Sequence, residues 1–178
     1  MTPKVILINV PADDPKRTAE FYSQLLGIEF ARTFTDSHVA YHVPISDDGK
    51  LLQVQKKFAP DEGVTCYFAV DDLNAAIKDL KAKGATVATQ PMDLPISKQV
   101  LQDYKEMFKQ SYGADAADTI GTGAVLKDPA GNRFGLVQLN EHANLMFKYG
   151  KYSTQPRHVS EERYAIHMRT VALGKRMR

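Results

Sequence analysis

Tryptophan is absent from the 178 residues, and cysteine occurs once, at Cys66. One cysteine builds neither a disulfide framework nor a cysteine-based metal cluster, and a reducing, cytoplasmic address is the expectation that follows. No apolar run approaches the roughly 20 residues of a membrane span, so no membrane partner is expected. The start, Met1-Thr-Pro-Lys and then six apolar or amide residues, is too short and too poorly flanked to read as a signal peptide. Gly-x-Ser-x-Gly and Walker sequences are missing as well. An excess of one charge is also lacking, since the net charge is only +2. What is present is ordinary for a globular protein: 43% apolar and 25% charged residues. At this length one domain, with or without an appendage, buries roughly 70% of the surface of its unfolded chain. It therefore needs no metal to hold a core.

The small net charge is unevenly spread. From Asn140 to Arg178 eight Lys or Arg face three Glu, giving +5 and leaving −3 on residues 1–139. A mildly acidic body thus carries a basic tail. Spread over this length, +5 is weak for a nucleic-acid surface, and no nucleic-acid partner is expected.

The chain reads as a repeated pattern of strands and helices. Val5 to Val10 is β-branched and apolar, a buried strand. Asp14 suits an N-cap and Pro15 the first helical position; Thr18, Phe21, Tyr22, Leu25 and Leu26 follow at helical spacing, and Gly27 ends the helix. Residues 28–35 and 38–45 read as strands with a turn at Asp36-Ser37, Asp47-Asp48-Gly49 as a hairpin turn, and 51–56 as a fourth strand. The order then recurs. Val64 to Val70 is a strand. Asp72 caps a helix with Leu73, Ala76, Ile77 and Leu80 on one face, and Gly84 closes it. Ala85 to Ala88, Ala124 to Leu126 and Arg133 to Leu139 are strands, the last two joined by the turn sequence Asp128-Pro-Ala-Gly-Asn132. A βαβββ unit therefore occurs twice, about 65 residues apart.

Two stretches fall outside the repeat. An insertion at about 91–121 holds a helical stripe of Val100, Leu101, Tyr104, Met107 and Phe108, with Ser97 as a plausible cap. The basic extension 140–178 holds a second helical stripe, Tyr164, Met168 and Val171, capped by Ser160 after a linker at Ser153 to Pro156. Its acids come first and its bases last, which suits the helix dipole.

This arrangement resembles the vicinal oxygen chelate superfamily, also called the glyoxalase/bleomycin resistance/dioxygenase fold. The resemblance rests on Pro11-Ala-Asp-Asp-Pro15, Phe21-Tyr22 and Leu26-Gly27 in the first unit. In the second it rests on Ala69-Val-Asp-Asp-Leu73, Gly84 and Lys127-Asp-Pro-Ala-Gly-Asn-Arg133. It covers about residues 4–139 and implies an α+β fold. Two βαβββ modules, about 4–57 and 64–139, would form U-shaped mixed sheets around a pocket, with helices outside. A glyoxalase-like domain at 1–139 would then carry the extension 140–178.

Strand alternation tests that implication. One parity (Ile6, Ile8, Val10, Leu52, Val54, Cys66, Phe68, Val70, Phe134, Leu136) is wholly apolar, as a face under helices must be. The other mixes apolar residues with Asn9, Gln53, Gln55, Thr65, Tyr67 and Arg133, which suits a ligand cavity. The candidate binding residues are accordingly Leu7, Asn9, Gln53, Gln55, Thr65, Tyr67 and Arg133, with Leu51 and Val137 as further apolar walls. Arg133 suits an anionic or carbonyl-rich ligand, and equally a surface ion pair.

The resemblance also implies four positions for divalent-ion ligands, two per module: Val5, Gln53, Thr65 and Gly135. Only Gln53 offers a plausible donor, and zinc or iron wants three or four N, O or S ligands. No metal and no other cofactor is therefore expected. His38 and His42, if on a strand, lie about 13 Å apart, too far to share an ion. Cys66 falls on the apolar parity and reads as a buried small side chain. Asp13-Asp14 and Asp71-Asp72 sit at helix starts and read as caps. No catalytic residue is identified. The favoured function is metal-independent binding of a small organic molecule between the modules, with a homodimer as the expected assembly. The alternatives are a metal-dependent lyase, isomerase or dioxygenase with an atypical site, or an interaction module working through the basic tail.

Overall fold

The computed structural model describes residues 3–34, 39–46, 50–96, 98, 101–113 and 115–146. The turns at Asp36-Ser37 and Asp47 to Gly49, His38, the cap at Ser97 and the tail helix after Ser160 lie outside the described residues. The first unit runs β1 (Lys4–Ala12), α1 (Pro15–Leu26), β2 (Ala31–Phe34), β3 (Val39–Pro44) and β4 (Leu51–Lys56). The second runs β5 (Thr65–Ala69), α2 (Leu73–Ala82), β6 (Thr86–Pro95), β7 (Thr119–Lys127) and β8 (Arg133–Leu139). Helix α3 (Leu101–Tyr112) stands between β6 and β7, and α4 (Glu141–Met146) follows β8. The βαβββ unit thus occurs twice, and the fold is α+β.

Both repeat helices begin as their sequences require. Asp14 accepts from the Arg17 amide at 3.0 Å and Asp72 from the Ala75 amide at 2.9 Å, so each satisfies an amide that has no partner within its helix. Gly27 ends α1 at φ 66°, a conformation that costs glycine little.

All eight strands form one mixed sheet, ordered β2-β3-β4-β1-β5-β8-β7-β6. Its centre is the antiparallel pair β1–β5, and each of these strands runs parallel to the fourth strand of its own unit, β4 or β8. The two units therefore repeat each other about the centre of the sheet.

One face is covered by α1 and α2. Under α1 lie Ala12, Ala19 and Val54 with Val10, Tyr22, Phe30 and Tyr41; under α2 lie Val70, Leu73, Ala85, Ala124, Leu126 and Leu136 with Phe68 and Phe134. Of the apolar-parity residues, Val10, Val54, Phe68, Val70, Phe134 and Leu136 are where alternation puts them. Ile6 is not. A bulge between Val5 and Leu7 sets Val5 opposite Phe68, and Ile6 joins Leu7, Leu51, Tyr67, Ala69 and Val137 in a cluster on the other face. One extra residue reverses the alternation locally, which composition does not reveal.

Three other expectations change. The apolar stripe of α1 is only partly buried: Ala19 and Tyr22 turn inward, whereas Phe21, Leu25 and Leu26 are 61%, 67% and 42% exposed. The strands flanking the insertion are longer than expected, β6 reaching Pro95 and β7 starting at Thr119. Three register shifts along β6 hide its period of two. Not every helix is on the outer face, because Ala143 of α4 packs into the cluster around Ile6 and Val137. Asn140 caps that helix, accepting from the Ala143 amide at 3.1 Å.

Helix α3 is tied to α4. Phe108 is fully buried, and its ring meets His142 edge to face at a centroid distance of 5.3 Å. His142 Nδ1 accepts the Ala117 N–H at 3.3 Å, so that nitrogen is unprotonated in the fold. Burial holds the imidazole below its usual pKa. An unfolded histidine takes up its proton near about 6.5. Between that value and the lower folded one, the unfolded chain binds more protons, so His142 favours folding above about pH 6.5 and loses that contribution as pH falls. The melting temperature should drop through this window. His142→Gln should flatten the drop, and an unaltered pH profile in that variant would disprove the assignment.

Candidate functional site

The face opposite α1 and α2 is built by register. His42 on β3 pairs with Gln53 on β4, Gln53 with Asn9 on β1, and Asn9 with Thr65 on β5. Four strands thus carry His42, Gln53, Asn9 and Thr65 in one transverse row. Gln55 lies two residues beyond Gln53, on the same face. The row is largely buried: Asn9 is 2% exposed, Thr65 3%, and His42 and Gln55 8% each. Gln53 is half-buried.

Burying amides requires partners, because an unmatched one costs on the order of 1–3 kcal/mol. Gln53 Nε2 donates to Asn9 Oδ1 at 3.3 Å and to Gln55 Oε1 at 3.0 Å, and Thr65 Oγ1 donates to the Gly63 carbonyl at 3.1 Å. The three amides therefore hold one another in place.

Tyr67 lies beside this row, opposite Leu7 on β1 and Gly135 on β8. Its ring sits over Gly135. A Cβ built on that glycine would fall 2.0 Å from Tyr67 Cδ1 and 2.4 Å from Cε1, so no other residue fits position 135 while the ring stays there. Burial chiefly, and then the Glu62 carboxylate, raise the pKa of the phenol, while Arg133 opposes the shift. Tyr67 is therefore a protonated donor at neutral pH, with an anion and a cation close by. Glu62 also accepts the Phe58 amide at 2.7 Å, which anchors the β4–β5 loop.

The sequence-derived candidates divide into two groups. Asn9, Gln53, Gln55 and Thr65 share the row, and Tyr67 and Leu7 flank it. Arg133 stands at the start of β8, half-buried and within the field of Tyr67. Leu7, Leu51 and Val137 belong to the apolar cluster around Ile6. His42 is not among the sequence-derived candidates. Its signal was the same alternation carried one strand further, since its antiparallel partner is Gln53. A cavity of about 400 Å³ opens elsewhere, between the start of α2 and strands β7 and β8, lined by Leu73, Asn74, Pro91, Thr122, Gln138 and Asn140. No motif or periodicity in the amino-acid order points to it.

The four positions implied for a divalent ion do not make a site. The bulge turns Val5 to the helix-covered face. Gln53 brings a single neutral amide oxygen, its Nε2 being held by Asn9 and Gln55, and Thr65 brings a single neutral hydroxyl. At position 135 the volume a ligand side chain would fill is taken by the Tyr67 ring. Among the described residues, no three His, Cys, Asp or Glu side chains converge. The set offers neutral amides and hydroxyls, poor ligands for zinc or iron.

The family model of the Glyoxalase/Bleomycin resistance protein/Dioxygenase superfamily matches residues 4–136. Among solved structures, a hypothetical protein from Bacillus halodurans C-125 is similar at 12% identity and TM-score 0.54, over 79% of this chain and 97% of that one. A Streptomyces coelicolor methylmalonyl-CoA epimerase variant in complex with 2-nitronate-propionyl-CoA is similar at 19% identity and TM-score 0.48, over 79% of this chain and 97% of that one. The NAD-dependent benzaldehyde dehydrogenase from Legionella pneumophila is similar at 15% identity and TM-score 0.48, over 75% and 98%. Of the three, the likeness to the Bacillus halodurans protein speaks for the fold, and at 12% identity for the fold alone. No curated protein sequence matches the chain.

Gly135→Ala should force the Tyr67 ring off its seat and cost about 1–3 kcal/mol, the usual cost of overpacking. Tyr67→Ala in the same chain should remove that penalty, so the two changes should be strongly non-additive in denaturant unfolding. Additive effects would show that the ring and the glycine are not in contact.

Proposed function

The chain belongs to the Glyoxalase/Bleomycin resistance protein/Dioxygenase superfamily, and on that footing we propose that it binds a small organic molecule on the sheet face opposite α1 and α2, without a metal ion. The observation that carries this reading is the row His42–Gln53–Asn9–Thr65, buried polar side chains gathered from four strands beside an apolar cluster. A few convergent polar groups in apolar surroundings are what a ligand site offers. Asn9, Gln53, Gln55, Thr65 and Tyr67 supply the polar contacts, Leu7 an apolar wall, and Arg133 a cation at the edge. The Tyr67 ring over Gly135 supports binding without a metal, because it fills the space a ligand side chain would need.

A thermal-shift screen over small metabolites and antibiotics should find compounds that raise the melting temperature, and Gln53→Met should abolish the gain. Metal analysis should find no stoichiometric zinc, iron, manganese or nickel. Stoichiometric metal that activates or stabilises the protein would overturn the metal-free reading.

His42 favours a second reading. It places an imidazole, a common general base, on a face that has no carboxylate among the strand positions named above. A lyase or isomerase acting by proton transfer would lose activity on His42→Asn with the fold intact. A compound found in the screen that is recovered unchanged removes this reading.

A second copy of the chain is the proposed protein partner. Phe21, Leu25, Leu26 and Ile28 are all more than 40% exposed around α1, an apolar area that a homodimer would cover. Sedimentation should give a dimer mass and Leu25→Glu a monomer; a monomeric unmodified chain would overturn the assignment.

A further inference from the structure

We infer that the ligand presents a neutral amide-type edge, a carbonyl beside an N–H as in a lactam, an imide or a nucleobase, to the pair Asn9–Gln53. This rests on the proposal above that the polar row is the binding site. Gln53 Nε2 uses its two hydrogens on Asn9 Oδ1 at 3.3 Å and Gln55 Oε1 at 3.0 Å. An amide has two donors at one end and an acceptor at the other. After those bonds, Asn9 Nδ2 still has donors and Gln53 Oε1 can still accept, and no described residue takes either atom. Neither is among the sealed polar atoms of the described residues that lack a hydrogen bond; Gln53 is half-buried, and Asn9 beside it is 2% exposed.

A donor and an acceptor therefore stand side by side on neighbouring strands. Exchanging oxygen and nitrogen throughout the network reverses the direction of each bond. Asn9 then offers the acceptor and Gln53 the donor, and the pair still has one of each. The complement is one acceptor beside one donor, the edge of a secondary amide or lactam. A carboxylate brings acceptors only. One of its oxygens would face the amide oxygen of the pair, a mismatch that costs as much as an unmade buried hydrogen bond. The Tyr67 ring, two strands from Gln53, offers a surface for the body of a planar ligand.

The test uses full-length protein with 2-quinolone and phthalimide, their N-methyl derivatives and 2-naphthoate, followed by NMR of the Asn and Gln side-chain amides and by titration. The unmethylated compounds should shift the Asn9 and Gln53 signals. N-methylation should weaken binding at least about tenfold, the effect of one lost hydrogen bond of about 1.4 kcal/mol. Gln53→Met, close in shape, should weaken 2-quinolone by a similar factor while the amide signals away from the row keep their positions. If the N-methyl compounds or the naphthoate bind as well as the lactams and shift the same signals, the amide-edge assignment fails and the binding face stands. If none of the five compounds moves those signals, and the broader screen finds no compound that does, the binding face fails as well.

Discussion

The antiparallel ladder between β1 and β5 is the constraint on which the rest of the molecule depends. It sets Asn9 opposite Thr65 and Leu7 opposite Tyr67. Each of these strands then carries its own parallel neighbour, β4 or β8, into register. A two-residue period in four consecutive strands becomes a two-dimensional pattern: a face that α1 and α2 can cover, and a face where amides and hydroxyls meet. A slip of one residue would send the amides under the helices and the aliphatic side chains outward. The apolar demand of the helix-covered face thus also fixes the polar row.

Two local features modify this scheme. The bulge in β1 brings Ile6, a large aliphatic side chain, to the inner face beside Ala69 and Val137, and takes Val5 away from it. That builds an apolar floor next to the amides. Position 135 has the opposite character, since glycine leaves a gap and the Tyr67 ring fills it. Together they turn a surface that four strands could have used to grip an ion into one made of an aromatic ring, aliphatic groups and neutral amides. Under the proposed function, recognition there relies on hydrogen bonds and shape more than on net charge, and the charges of Glu62 and Arg133 act on Tyr67.

Helices α3 and α4 add a second layer where the repeat has none. Ala143 packs on the inner face of the second unit, and Phe108 against His142 connects the inserted helix to α4. Ion pairs from α3 to the segment that follows it, Lys105 to Asp118 and Lys109 to Asp115, hold the insertion compactly; both are partly solvated and contribute little stability. The buried imidazole is the part of this layer that responds to pH.

The repeat, the helix starts at Asp14 and Asp72, and the mixed character of the inner face were all legible in the amino-acid order, because capping and strand alternation are local and act over two to four residues. The members Asn9, Gln53, Gln55, Thr65 and Tyr67 followed from parity alone. The bulge at Ile6, the full length of β6, helix α4 and the place of His42 did not follow. Each depends on which strand lies alongside which, and a single extra residue or an irregular edge erases the period that reading relies on. The seating of Tyr67 on Gly135 was likewise beyond the sequence. Two residues 68 positions apart share one volume only because β5 and β8 run side by side, and close packing, unlike alternation, is a property of the assembled sheet.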